Sequence, residues 1–308
     1  MNSKKGFTLL EMLVVIGIIA ILGGVMLAQF SGSTESALAT SCMNNMRSLC
    51  NAVMADGSKE SRYPAAGPYQ YIYIDDKGNS KRPWFQGWIG HSKGEQKVSC
   101  YQSDKEGEQQ HYAITNGTIW RGIGGQESAY VCPTHLNCCK RGKKPTPSWS
   151  YVMNSYFGWD YGIAGSIELG RRGYGGGLFT FSYSDGSRKR PVEKVLLFAE
   201  IPYAENGVLE PKFSTSAATE NDAILQYEPD SGENKKSDKT ANGSSEVIGF
   251  NHKSGKTYSA HVAFADGHCA KLMLPTGADK GNLMELTTWL CTGQEYTFNG
   301  SRYEKVSE

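Results

Sequence analysis

The sequence predicts an α+β protein: one long N-terminal helix followed by an antiparallel β head held by disulfides. Three observations lead there. Residues 7–28 are apolar except for a single carboxylate, Glu11. Further on, Leu38, Cys42, Met46, Leu49 and Val53 recur at spacings of four, four, three and four, the period of one helix face. After about residue 56 the helix formers thin out, and the 36 glycines and 17 tyrosines of the chain favour turns and strands. With 308 residues the chain is long enough to bury a core without help from metal. Thirty-two Lys and Arg against 31 Asp and Glu leave a net charge of +1, and no long basic run occurs, which removes the electrostatic footprint of a nucleic-acid binder.

The first element is the apolar run. Phe7 to Ala28 is 22 residues, about 33 Å as a helix, enough to cross a hydrocarbon core of about 30 Å. Lys4 and Lys5 precede it, so the positive-inside rule keeps the leader cytoplasmic and sends the rest of the chain outward. A cleaved secretory signal fits poorly, because the run is too long and the small-residue site Ala37-Leu38-Ala39 lies too far beyond it. A plain anchor leaves Glu11 unexplained. A carboxylate at that depth costs roughly 1–3 kcal/mol, so it needs a partner or a purpose.

The helical stripe continues this element through residue 55, about 70 Å in all. Gly23, Gly24 and Gly32 are the points where it can bend, or where two helices would be joined near Ser31-Gly32-Ser33, and Asp56-Gly57-Ser58 is the expected stop. The chain therefore divides into a leader 1–6, a helix 7–55 and a head 56–308.

In the head, Tyr69–Ile74 alternates, Asp75-Asp76-Lys77-Gly78-Asn79 turns, and Trp84–Ile89 resumes, which reads as a hairpin. The acidic turn lacks the spaced ligands of a calcium loop. Val195–Ala199 reads as a buried strand. Ala260–Ala265 and Ala270–Leu274 read as a hairpin about the Asp266-Gly267 turn. Residues 203–246, including EPDSGENKKSDKTANGSSE, are too polar for core and read as a surface insertion. The aromatic, glycine-rich stretch 156–183 reads as turn-rich packing, with glycan or subunit contact as the functional alternative.

Eight cysteines, Cys42, Cys50, Cys100, Cys132, Cys138, Cys139, Cys269 and Cys291, all lie beyond the apolar run, in a compartment where thiols oxidise. Disulfides are the leading expectation, with connectivity open. Two metal sets compete with them. Cys132-Pro-Thr-His135-Leu-Asn-Cys138-Cys139 has zinc-like spacing. His252, Asp266 and His268, with His261, gather about one hairpin. Hydrolase, zincin and nucleotide-loop motifs are absent, so neither catalytic residues nor a cofactor is expected.

The leader KKGFTLLEMLVVIGIIAIL resembles the class III leader of type IV pilins and type II secretion pseudopilins. The resemblance implies cleavage after Gly6 by a prepilin peptidase and N-methylation of Phe7. It also implies an assembly role in which the freed Phe7 ammonium of one subunit pairs with Glu11 of another. Partners would be like subunits, the peptidase and an inner-membrane assembly platform. The head would face the periplasm before joining a periplasmic or cell-surface filament.

Further blocks, SCMNNMRSL, ITNGTIW, YVCP, SYVMN and VAFADGH, are similar in order to the prepilin-type processing-associated H-X9-DG domain. Here thirteen residues, not nine, separate His252 from Asp266, placing 253–259 in a longer hairpin loop. Cys42 and Cys132 occupy two of these blocks, and the resemblance suggests them as one disulfide pair. The expected function is that of a filament subunit. The alternatives are a membrane-tethered polysaccharide-binding module and, more remotely, a metal-dependent hydrolase built on the histidine hairpin.

Overall fold

The computed structural model describes residues 8–60, 63–64, 66–67, 69–70, 73–74, 77–81, 84–90, 113–154, 157, 180–182, 189–203, 223–225, 247–278 and 280–306. Helix α1 spans Leu9–Glu60. It runs through Gly23, Gly24 and Gly32 as one element and continues past Asp56-Gly57-Ser58, five residues beyond the expected end. A single glycine in the last turn costs only about 1 kcal/mol, too little to stop a helix already docked by its preceding turns.

The start of α1 is a reciprocal cap. The Thr8 backbone N–H donates to Glu11 Oε2 at 2.8 Å and its hydroxyl donates to the same oxygen at 2.9 Å. The Glu11 N–H in turn donates to Thr8 Oγ1 at 3.3 Å. This is the Thr-x-x-Glu capping box. Glu11 thus has hydrogen-bond partners within its own chain, at the start of its own helix.

The two halves of α1 live in different surroundings. From Leu9 to Leu22 every side chain is exposed, Leu9 by 80%. Cys42, Met46, Leu49 and Val53 are fully buried in the head core and Leu38 is half-buried, as the stripe predicts. Among the described residues no helix is long and apolar enough to cross a membrane. The described apolar side chains end at Leu22, about 21 Å from Leu9, and the expected span 7–28 extends past them at both ends.

Strands β1 (Tyr69–Gln70) and β2 (Tyr73–Ile74) pair antiparallel with β4 (Trp84–Phe85) and β3 (Ser80–Lys81), a hairpin whose described return strands lie earlier than the expected Trp84–Ile89, since no strand continues over 86–89. Strands β6 (Thr180–Ser182) and β7 (Lys189–Pro191) pair as a separate two-stranded sheet, and the central sheet holds β5 (Tyr151–Asn154), β8 (Leu196–Glu200), β9 (Ile224–Leu225), β10 (His252–Ser254), β11 (Thr257–Phe264) and β12 (Cys269–Met273). Every residue of β5 and β8 is buried, so this sheet is covered on both faces. Tyr151 points to α1, where its hydroxyl donates to the Cys42 carbonyl. Asn154, on the opposite face, donates to the carbonyl of Cys291 in helix α3 (Lys280–Thr292). The head is therefore a sheet between two helices, with α2 (Pro133–Arg141) also packed on α1.

Two loop expectations change. Residues 253–259 are mostly paired strand: His252 faces Ser259, Lys253 faces Tyr258 and Ser254 faces Thr257 about a two-residue turn led by Gly255 at φ +64°. Within the polar insertion, Ala223-Ile224-Leu225 enters the sheet. Ala223 and Leu225 are fully buried and β9 runs parallel to β5. Three apolar residues suffice there because an edge position is open beside β5. The remaining insertion, 204–222 and 226–246, lies outside the described residues, as does most of 156–183.

Candidate functional site

The register of β11 brings together what the sequence spreads over 220 positions. Ser259 pairs with His252 on one side and Met273 on the other, while Val262 pairs with Ala199 and Ala270. So β8 and β10 lie end to end along the same edge of β11. Glu200, the last residue of β8, sits one step beyond the Val262–Ala199 pair, beside His261. His252, the first residue of β10, lies two residues away across from Ser259. By strand alternation Glu200, His252 and His261 share the face that α1 covers.

Onto this face two cysteines descend. Cys42 comes from the buried stripe of α1, and Cys132 from the N-cap of α2, where Pro133 starts the helix. The donor atoms of Cys42, Cys132, Glu200 and His252 all lie within 4.8 Å of one another, and all four residues are buried. Cys42 Sγ donates to Glu200 Oε1 at 2.6 Å. His252 Nε2 is 2.9 Å and His261 Nδ1 3.1 Å from the same oxygen. Cys132 Sγ is 3.7 Å from His252 Nε2.

An outer ring holds these groups. The Tyr151 hydroxyl lies 3.1 Å from Cys42 Sγ, and the Tyr203 hydroxyl 3.7 Å from Cys132 Sγ. Asn251 Nδ2 donates to Glu200 Oε2 at 3.3 Å. Thr134 Oγ1 is 3.3 Å and Glu35 Oε1 3.6 Å from His252 Nδ1.

The charges are mutually fixed. Burial acts to raise the Glu200 carboxyl, but the charge and hydrogen bond of His252, with those of His261, more than reverse it and hold the carboxyl well below the usual range. Burial acts to lower His252, yet the Glu200 charge and Cys132 raise it to about 11. At Cys132 burial is outweighed by hydrogen bonds from Cys42 and His252, bringing the thiol down to about 6. Burial, the Cys132 hydrogen bond and the Glu200 charge push Cys42 the other way, well above an ordinary thiol. The cluster thus sets a carboxyl held low against a histidine held high and a thiol brought down, all of them buried.

The expected metal sets do not form as read. Of Cys132, His135, Cys138 and Cys139 only Cys132 reaches the cluster. Because α2 is helical, His135 turns instead to Ser150 Oγ at 2.9 Å and stacks on Tyr203, while Cys138 accepts from Arg141 at 3.2 Å. His252 parts from Asp266 and His268, which lie at the far end of β11. There Asp266 Oδ1 accepts from the His268 backbone N–H at 3.0 Å and is 2.6 Å from His268 Nδ1, closing the turn.

Among the described residues no two cysteines are joined by a disulfide, and Cys100 lies outside the described residues. The expected staple between Cys42 and Cys132 is therefore not formed here. Hydrogen bonds to Glu200 and His252 hold these thiols in contact without a bond. Cys50 and Cys269 form a second hydrogen-bonded thiol pair, beside Arg47.

Sequence reasoning missed Glu200 altogether, since a charge closing the run Leu196–Glu200 reads as a solvent-facing strand end. It missed the Thr8 cap too, though Thr8-Leu9-Leu10-Glu11 carries the motif openly. The processing positions Gly6 and Phe7 lie outside the described residues. Residues 1–27 match the family model of the prokaryotic N-terminal methylation motif, as found in class III prepilin leaders. No curated protein and no solved structure matches the chain.

Proposed function

We propose that the chain is the precursor of a structural subunit in a type IV pilus-like or type II secretion pseudopilus-like filament. The observation that carries the reading is the division of α1. Its stretch from Cys42 to Val53 is locked into the head, whereas Leu9–Leu22 presents apolar side chains on every side, Ile19 63% and Ile21 69% exposed. Such a surface needs a bilayer or a bundle of like helices around it. The methylation motif over residues 1–27 supports the same assignment.

In this reading the peptidase removes residues 1–6 at the inner membrane and methylates Phe7. An assembly platform then draws α1 from the lipid into the filament core. The Thr8 cap presents Glu11 Oε2 to its own helix end and leaves the carboxylate's charge to be met by a neighbour's Phe7 ammonium, which sets the axial register. The head forms the outer surface and does no chemistry.

The test is co-expression of the full chain with a prepilin peptidase and assembly platform, followed by mass spectrometry of the N-terminus and electron microscopy of sheared material. An N-methylated Phe7 terminus and filaments lost in Glu11→Ala are expected. A product that retains Met1, or starts anywhere else, overturns the proposal.

A further inference from the structure

We infer that Cys42, Cys132, Glu200 and His252 form a closed, four-ligand structural site for a zinc-class divalent cation that clamps α1 to the head. The donors arrive from four separate elements, α1, the N-cap of α2, the end of β8 and the start of β10, and converge within 4.8 Å with all four side chains buried. A tetrahedral zinc ion with bonds of about 2.0–2.3 Å sets its ligand atoms about 3.3–3.8 Å apart. The edge from Cys132 Sγ to His252 Nε2, 3.7 Å, already has that length. The edges from Glu200 Oε1 to Cys42 and His252, 2.6 and 2.9 Å, are hydrogen-bond lengths. The ion would replace the protons shared there and open each by less than about 1 Å.

Donor chemistry selects the metal. Two sulfurs disfavour calcium and magnesium, and the mixed sulfur, nitrogen and oxygen set suits zinc. Four protein ligands leave no position for substrate, which makes the site structural. The outer ring is the kind that orients metal ligands: Thr134 holds the far nitrogen of His252 at 3.3 Å, Asn251 the second oxygen of Glu200, and Tyr151 a sulfur. Without an ion, the fold buries two thiols, a carboxylate and a histidine for hydrogen bonds alone, where apolar packing would serve at least as well. Binding sends to solvent the protons that the two sulfurs and His252 Nε2 carry at the working pH, and no electrons move.

The clamp is independent of filament assembly and is tested on the full chain in detergent, reduced, stripped with chelator and kept anaerobic. Titration with zinc is expected to saturate at one ion per chain. Cobalt(II) in its place should give sulfur-to-metal charge-transfer bands and the strong visible bands of a four-coordinate ion. Zinc should slow alkylation of Cys42 and Cys132 roughly tenfold or more, because a ligated thiolate is no longer free to attack, while leaving Cys138 and Cys139 unchanged.

The cobalt bands should vanish in Cys42→Ser/Cys132→Ser. The wild-type titration and the alkylation map stand even where that variant does not fold. Absence of cobalt bands and of zinc protection in the folded wild-type chain overturns the inference. So does a Cys42–Cys132 disulfide, two hydrogens lighter, in material isolated from the periplasm.

Discussion

Leu49→Ala and Leu13→Ala make the same chemical change on the same helix, and only the first should cost stability. Leu49 is fully buried between α1 and the head, so truncation removes its transfer free energy and leaves a cavity walled by rigid neighbours. Substitutions of this kind cost about 3–4 kcal/mol. Leu13 is 62% exposed, and alanine is at least as good a helix former. Its contacts with detergent are the same whether the head is folded or not, and cancel, leaving a change of roughly 0.5 kcal/mol or less.

Urea unfolding of the full chain in micelles can be followed by fluorescence of the fully buried Trp88 and Trp149, with circular dichroism as a second probe. With a urea dependence of about 3 kcal/mol per M, Leu49→Ala should move the midpoint down by about 1 M and Leu13→Ala should leave it in place. A Leu49→Ala loss under about 1 kcal/mol would mean that the head does not rest on α1. Equal losses for the two variants would sink the two-environment description of the helix.

Glu200→Gln in reduced, chelator-treated protein should cost about 3 kcal/mol, since a buried imidazolium loses its counter-charge and an amide N–H₂ is placed against Asn251; a thermal melt within error of wild type would count against the buried ion cluster. Thr8→Ala should fray the first turn of α1 and cost about 1 kcal/mol of local stability, read as faster amide exchange at residues 9–12 with head exchange unchanged. Gly117→Ala would put a Cβ 2.2 Å from the Trp88 carbonyl oxygen and 2.9 Å from the Ile89 Cα. Backbone cannot yield there as a side chain would, so several-fold lower soluble yield and a clearly lower melting temperature are expected, whereas Gly17→Ala, with nothing within 4 Å, should be neutral.

The parts legible in the sequence are those governed by local periodicity. The stripe through Cys42, Met46, Leu49 and Val53 reads directly as the docked face of α1, and the Asp266-Gly267 turn marks the β11–β12 hairpin to within a residue. The site is not local. His252 stands near Asp266 in the chain, yet an eight-residue extended strand carries the two to opposite ends of β11. Glu200 and His252 are separated by the longest polar stretch of the head, yet meet because β8 and β10 share an edge. Only sheet register makes these neighbours, and no spacing rule encodes it. The unbridged Cys42 and Cys132 have the same origin: location predicts oxidation, whereas a carboxylate and an imidazole beside the sulfurs is a tertiary fact.

That shared edge makes a natural splice. The chain departs after Tyr203 and comes back at Val247, and the two arms are laced where Gly249 donates to the Glu200 carbonyl at 2.7 Å and Asn251 to that of Ile201 at 2.9 Å. Glu200 and His252 are thus fastened through their own flanks, a bolt driven across both strands right next to the buried cluster.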